Sequence, residues 1–173
     1  MQPYQKRDSH ANASFRDLKK QGEWAELAFM TRAAALGLNV SKPWGDSARY
    51  DFIVEFRGRV FRVQVKSTAR PHQQRSRPNP RARAYCINSA TGSDRHLTYT
   101  RADADFLAAY IVPEDLWYVI PVCAIVGRRT LRLSPHHRRQ RARYEKYREA
   151  WSLLCPRTGR PSLNRLAATR KPK

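Results

Sequence analysis

Acidic side chains are scarce in this chain. Its 173 residues carry 34 Lys and Arg but only 14 Asp and Glu, a formal net charge of +20. That imbalance strains any compact fold by self-repulsion, so a polyanionic partner is the simplest reading, with nucleic acid ahead of a membrane surface. Cysteine is also sparse: Cys86, Cys123 and Cys155 are odd in number, widely spaced and form no CxxC pair. Neither a zinc site nor a disulfide scaffold is indicated, and a reducing, cytoplasmic setting is expected. Long apolar runs are missing as well. The longest, "YVIPVCAIV" at 118–126, is about half a membrane span, and "MQPYQKRDSHANASF" lacks the apolar region of a secretory leader. No internal repeat is visible. A soluble protein with no membrane partner is expected.

What is present suffices for one core: 41% hydrophobic residues with 4 Trp, 8 Tyr and 6 Phe. Residues 1–18 are polar and pattern-free, an expected mobile segment. Residues 19–154 read as one domain, and 155–173 as a basic, disordered tail. "KKQGEWAELAFMTRAAALG" (19–37) predicts a helix closing on a glycine, apolar enough to be buried over much of its circumference. "LNVSKPWGDSA" gives a short strand and a turn. "RYDFIVEF" (49–56) and "RVFRVQVKSTAR" (59–70) alternate in polarity across Arg57-Gly58 and read as an antiparallel hairpin.

The stretch "RPHQQRSRPNPRAR" (70–83) is an expected basic loop. Strands follow near 84–88, on both sides of "PED" within 103–122, and at 130–134. In "RRQRARYEKYREAWSLL" (138–154) the spacing of Tyr144, Tyr147, Trp151 and Leu154 predicts a basic amphipathic helix. These aromatics are read as core rather than as a base-stacking platform. The order is α/β, a mixed β-sheet flanked by helices.

On the first hairpin strand Asp51 lies opposite in parity to Phe52, Val54 and Phe56; on the second, Gln64 and Lys66 lie opposite Phe61, Val63 and Val65. Residues two apart on a strand share a face, so a hairpin can gather Asp51, Gln64 and Lys66 at neighbouring strand ends. Phosphodiester hydrolysis needs a divalent ion on hard oxygen ligands, an activated water and positive charge for the transition state. Asp51 offers a carboxylate, Gln64 an amide oxygen and Val65 its backbone carbonyl; Lys66 can hold water or stabilise developing charge. Glu26, isolated among apolar neighbours on the helix, could add an acid, and Glu23 stays open as the alternative. Glu55 shares parity with Asp51 but sits at the far strand end and reads as a surface residue. His136 and His137 lack metal-binding partners and read as loop or phosphate-contact residues.

"GEWAE" on the helix, then "YD", then "VQVKS" resembles the PD-(D/E)XK nuclease superfamily, closest to its group I intron-associated homing endonucleases and with some similarity to Holliday junction resolvases. The resemblance implies a restriction-endonuclease-like core and Mg2+-dependent endonuclease activity on double-stranded DNA. It places catalytic roles on Asp51, Gln64, Lys66 and Glu26, so that Asp51, Gln64 and Glu26, with the Val65 carbonyl read above, stand about the metal. The acid usual at the position of Gln64 is absent, which removes a negative charge from the metal site. By analogy, cutting two strands implies a homodimer or homotetramer. Arg70, Arg75, Arg77, Arg81, Arg83, Arg138, Arg139 and Arg141 fall in two arginine-dense blocks expected to grip the phosphate backbone. The competing readings are a catalytically inactive nuclease-fold binding protein and an RNA-binding protein of ribosomal type.

Overall fold

Asp17 starts the only α-helix among the described residues: its carboxylate accepts the Lys19 N–H at 2.8 Å, satisfying a donor that the first turn would leave orphaned. The architecture comes from a computed structural model describing residues 17–45, 47–72, 84–90, 97–136 and 142–155. The expected segment 1–18 and tail 155–173 therefore lie almost wholly outside the described residues. Helix α1 runs Leu18–Ala35 and ends where Gly37 takes φ 74° and donates to the Ala34 carbonyl at 2.9 Å.

Seven strands follow: β1 (Asn39–Ser41), β2 (Phe52–Phe56), β3 (Arg59–Thr68), β4 (Tyr85–Asn88), β5 (Phe106–Ile111), β6 (Leu116–Pro121) and β7 (Thr130–Leu133). Five form one sheet in the order β1-β2-β3-β5-β6, and β4 and β7 form a second. The large sheet is mixed: β3 and β5 run parallel, and its other neighbouring pairs antiparallel. The β2–β3 hairpin is the expected one. Arg57 (φ 50°) and Gly58 (φ 75°) both take the left-handed conformation that a two-residue hairpin turn demands, and Phe56 faces Arg59.

Strand alternation splits the core into two. Phe52, Val54, Val63, Val65, Ala108 and Tyr110 face α1, whereas Leu107, Ala109, Ile111, Tyr118 and Ile120 face the β4–β7 sheet. Among the described residues a helix thus covers one face, and a small sheet covers the other.

Two expectations are corrected. Helix α1 is not buried around most of its circumference: Gln21, Ala25, Phe29 and Ala33 form a single row at four-residue spacing, while Trp24, Leu27 and Met30 stay 47%, 58% and 39% exposed. Small Ala25 and Ala33 let that row sit close on the sheet, and Phe29 packs on Phe52, Trp117 and Trp151 at centroid distances of 5.3–5.8 Å. The segment predicted as a C-terminal helix has no α-helix among its described residues, only 3₁₀ turns at Glu145–Tyr147 and Trp151–Leu153. The edge of β6 wins this segment. Arg148 bridges to Tyr118, Glu149 (φ 47°) donates its N–H to the Trp117 carbonyl, and its carboxylate accepts the Trp117 N–H and the Trp151 indole N–H. Those bonds satisfy an otherwise open strand edge, which a continuous helix would not. Tyr144 and Trp151 are nevertheless buried, as core residues should be.

Candidate active site

The site begins where β3 outruns β2. Phe52 opposite Val63 is the last residue pair on that side, and the Asp51 N–H still reaches the Val63 carbonyl at 3.0 Å. One step on, the Val65 N–H points the same way with no strand beside it. The Asp51 carboxylate takes it instead: Oδ2 accepts the Val65 N–H at 2.7 Å and the Gln64 Nε2–H at 2.5 Å. Gln64 Nε2 also donates to the Val65 carbonyl at 3.2 Å, so one amide and one carboxylate close off the exposed strand edge.

Gln64 and Lys66 stand beside Leu107 and Ala109 in the parallel register, hence on the sheet face away from α1. Asp51, Gln64 and Lys66 are therefore gathered at one place, the grouping that the hairpin reading allowed, with the Val65 backbone beside them. Lys66 is partly buried, and its charge acts to lower the pKa of Asp51, favouring the carboxylate. That pull loses. Burial pushes the Asp51 carboxyl above its ordinary value, with the Glu26 charge adding to the push; the Val65 and Gln64 hydrogen bonds and the Lys66 charge only partly offset it.

Glu26 is placed differently. It belongs to α1, across the sheet from Gln64, and its Oε2 is held by Lys42 Nζ at 2.7 Å. Its charge still reaches Asp51, and Lys42 is raised by its hydrogen bond with Glu26, with smaller contributions from Asp51 and Glu23. Glu23 is exposed; of the two helical acids, Glu26 stands nearer the carboxylate's field. Glu55 is exposed at the far end of the hairpin, opposite Val60.

Sequence patterning missed Lys42 and Tyr99. Lys42 was legible only as the first residue of a turn, yet it pins Glu26. Tyr99 is buried at 4% exposure, and its hydroxyl is pushed well above its ordinary range by burial and by the charges of Asp51 and Asp103. Its preceding polar stretch gave no signal.

The arginine blocks divide. Arg70 is exposed beyond β3; Arg75, Arg77, Arg81, Arg83, Arg138, Arg139 and Arg141 lie outside the described residues. Arg62, on β3 ahead of the first block, is structural: it makes a two-point contact with Asp105 at 3.0 and 3.2 Å and donates to the carbonyls of Ala102 and Arg101. His136 meets Glu114 at 2.9 Å rather than a metal-ligand set, and His137 lies outside the described residues. A separate groove between α1 and the β5–β6 hairpin, lined by Trp24, Leu27, Leu36, Tyr110 and Trp117, includes none of the site residues. Among the described residues no helix is long and apolar enough to cross a membrane.

The donor set suits a hard divalent cation. Asp51 keeps Oδ1 beyond its two Oδ2 bonds, the Val65 carbonyl is on the same strand edge, and a half-turn of the Gln64 amide would exchange Nε2 for Oε1. A carboxylate whose charge is disfavoured by burial is also one that a cation would stabilise.

Compared with known proteins, residues 16–154 match the family described as PD-(D/E)XK endonuclease. Among solved structures the chain is similar to a bacterial homing endonuclease, I-Ssp6803I, with 32% identity and a TM-score of 0.63, covering 79% of this chain and 91% of that one. No curated protein sequence is a significant match.

Proposed function

The chain belongs to the PD-(D/E)XK endonuclease family, and from that premise we propose that it hydrolyses phosphodiester bonds of double-stranded DNA with Mg2+, as a homing-type enzyme of the group I intron-associated kind or a close relative. The observation that carries the reading is the convergence of Asp51, Gln64 and the Val65 backbone at the start of β2, with Lys66 on the same face. Asp51 is the principal ligand, with Gln64, the Val65 carbonyl and Glu26 in support. A bound Mg2+ would lower the pKa of a water and neutralise charge on the scissile phosphate. Lys66 orients that water by donating to it and stabilises negative charge developing on the phosphoryl oxygens. Arg70 and the blocks at 70–83 and 128–148 hold the backbone. Two strands call for two sites, hence a homodimer or homotetramer.

A plasmid-nicking assay with Mg2+ tests the assignment on wild type, Lys66→Ala and Asp51→Ala. Both substitutions are expected to lower cutting by at least about a hundredfold, the scale of losing a group that acts on the transition state. If both cut like wild type, the site is wrongly placed.

The second reading, a nuclease fold that binds without cutting, rests on Gln64 in the position where a carboxylate is usual. Nucleic-acid binding by all three proteins with cleavage by none would select it. On the enzyme reading, Gln64→Glu restores a ligand charge and lowers the Mg2+ concentration giving half-maximal cleavage; an unchanged or higher requirement contradicts a ligand role for that side chain.

A further inference from the structure

Trp44 is 102% exposed, a placement that forgoes the burial a tryptophan ordinarily supplies. The fold does not need it. Trp117 and Trp151 fill the α1-side core at 3% and 4% exposure, Trp24 lines the groove beside α1, and Trp44 is in neither core cluster. Its position is informative. It lies in the connection from β1 to β2, which leaves the sheet at Ser41 opposite Ile53 and returns to it through Asp51. Lys42, two residues before Trp44, is bonded to Glu26 and feels the charge of Asp51. The residue is thus on the loop that delivers the proposed metal carboxylate.

The backbone on either side of Trp44 is constrained. Pro43 fixes its own φ, and Gly45 takes φ 69°, a left-handed turn that a side chain would strain. Of the large apolar residues that are exposed, none other lies in this loop. A surface built to dock a folded protein would need a contiguous apolar patch. One lone aromatic face in a chain of net charge +20 suits a nucleobase, whose face any indole can stack upon.

We propose that Trp44 is a stacking platform for an unstacked base of the bound nucleic acid, next to the phosphodiester site. A base inside a regular duplex is covered on both faces, so the site acts on a nucleotide that is unpaired or drawn out of the stack. The inference rests on the nucleic-acid partner of the preceding reading and not on cleavage.

The test measures binding in EDTA, by fluorescence anisotropy, to a short labelled oligothymidylate and to an abasic strand of the same length. Trp44→Ala is expected to weaken oligothymidylate binding by about 5- to 150-fold, the range found for losing one base–aromatic stack. Trp44→Phe should recover most of that loss, and neither variant should alter binding to the abasic strand, which carries the same phosphates. Equal losses on both strands would mean that Trp44 supports the fold or the charge surface and would overturn the proposal. So would an unchanged affinity for oligothymidylate, or a wild type that binds both strands alike. An unchanged circular-dichroism melt for Trp44→Ala confirms that the readout is not misfolding. Because no metal is present, a protein that fails to cut plasmid leaves this result standing on its own.

Discussion

At Asp51 two demands oppose each other. The strand edge needs an acceptor for the Val65 N–H, and a carboxylate supplies a strong one at 2.7 Å. Desolvation there disfavours the charged form, and the balance leaves the folded carboxyl above its ordinary 3.8. The native state therefore holds its proton to higher pH than the unfolded chain, so this group's contribution to stability is fully present below the ordinary value. It is lost as pH rises through the folded value. Asp51→Asn keeps an oxygen for Val65 and removes the charge. It is expected to melt above wild type at neutral pH in EDTA, and the gap should close as the pH approaches about 4. Adding Mg2+ should raise the melting temperature of wild type and not of Asp51→Asn, since only the former offers the anionic ligand. A gap that widens on acidification would show that the carboxylate is stabilising after all.

At the scale of elements, Arg62 and Asp105 tie β3 to the start of β5. Burial alone would raise the Asp105 carboxyl, but hydrogen bonds from the Arg62 side chain and backbone, with its charge, outweigh that and hold it low. This pair stabilises the fold above the ordinary carboxylate range and ceases to as pH falls through the lowered value. Arg62→Ala should destabilise the protein by about 1–2 kcal/mol in urea unfolding, discounted because the pair is partly exposed. Arg59→Ala, an exposed position, should stay within about 0.5 kcal/mol. If the two were equal, Arg62 would be an ordinary surface cation.

This pair was hidden from the sequence, where Arg62 was one of many arginines and its partner lay forty-odd positions away on another strand. The hairpin was legible because period-two alternation and a two-residue turn fix it locally, and it allowed Asp51 and Gln64 at neighbouring strand ends without fixing their register. What no pattern could show was that β2 stops at Phe52, so that Asp51 turns into a side-chain cap for β3. The helical spacing of Tyr144, Tyr147, Trp151 and Leu154 misled for a similar reason. Two short turns pinned by Glu149 to an open strand edge give the same spacing of buried residues as a helix. Apolar content overstated the burial of α1, because exposure at Trp24 and Leu27 depends on what the other elements leave uncovered.

Charge belongs to the whole molecule. With 14 acids and 34 Lys and Arg, even complete pairing would leave 20 cations unmatched, and several acids are already taken: Glu26 by Lys42, Asp103 by Arg49, Asp105 by Arg62, Glu145 by Arg148. The unmatched cations must be balanced by solution anions or by a polyanion, and with the proposed DNA partner the release of its counterions would drive binding. Duplex affinity is expected to fall linearly on a log–log plot against salt, with a slope of about −0.9 per phosphate contacted. Replacing Arg75, Arg77, Arg81 and Arg83 together with alanine should make that slope shallower by about 0.9 for each that touches a phosphate, without lowering the melting temperature. Arg62→Ala should leave the slope alone while lowering stability, and Trp44→Ala, which removes no charge, should leave it alone too. A slope near zero in wild type would remove the polyanion from the account of the charge. An unchanged slope in the fourfold variant would move the contacts to other cations, the 128–148 segment first.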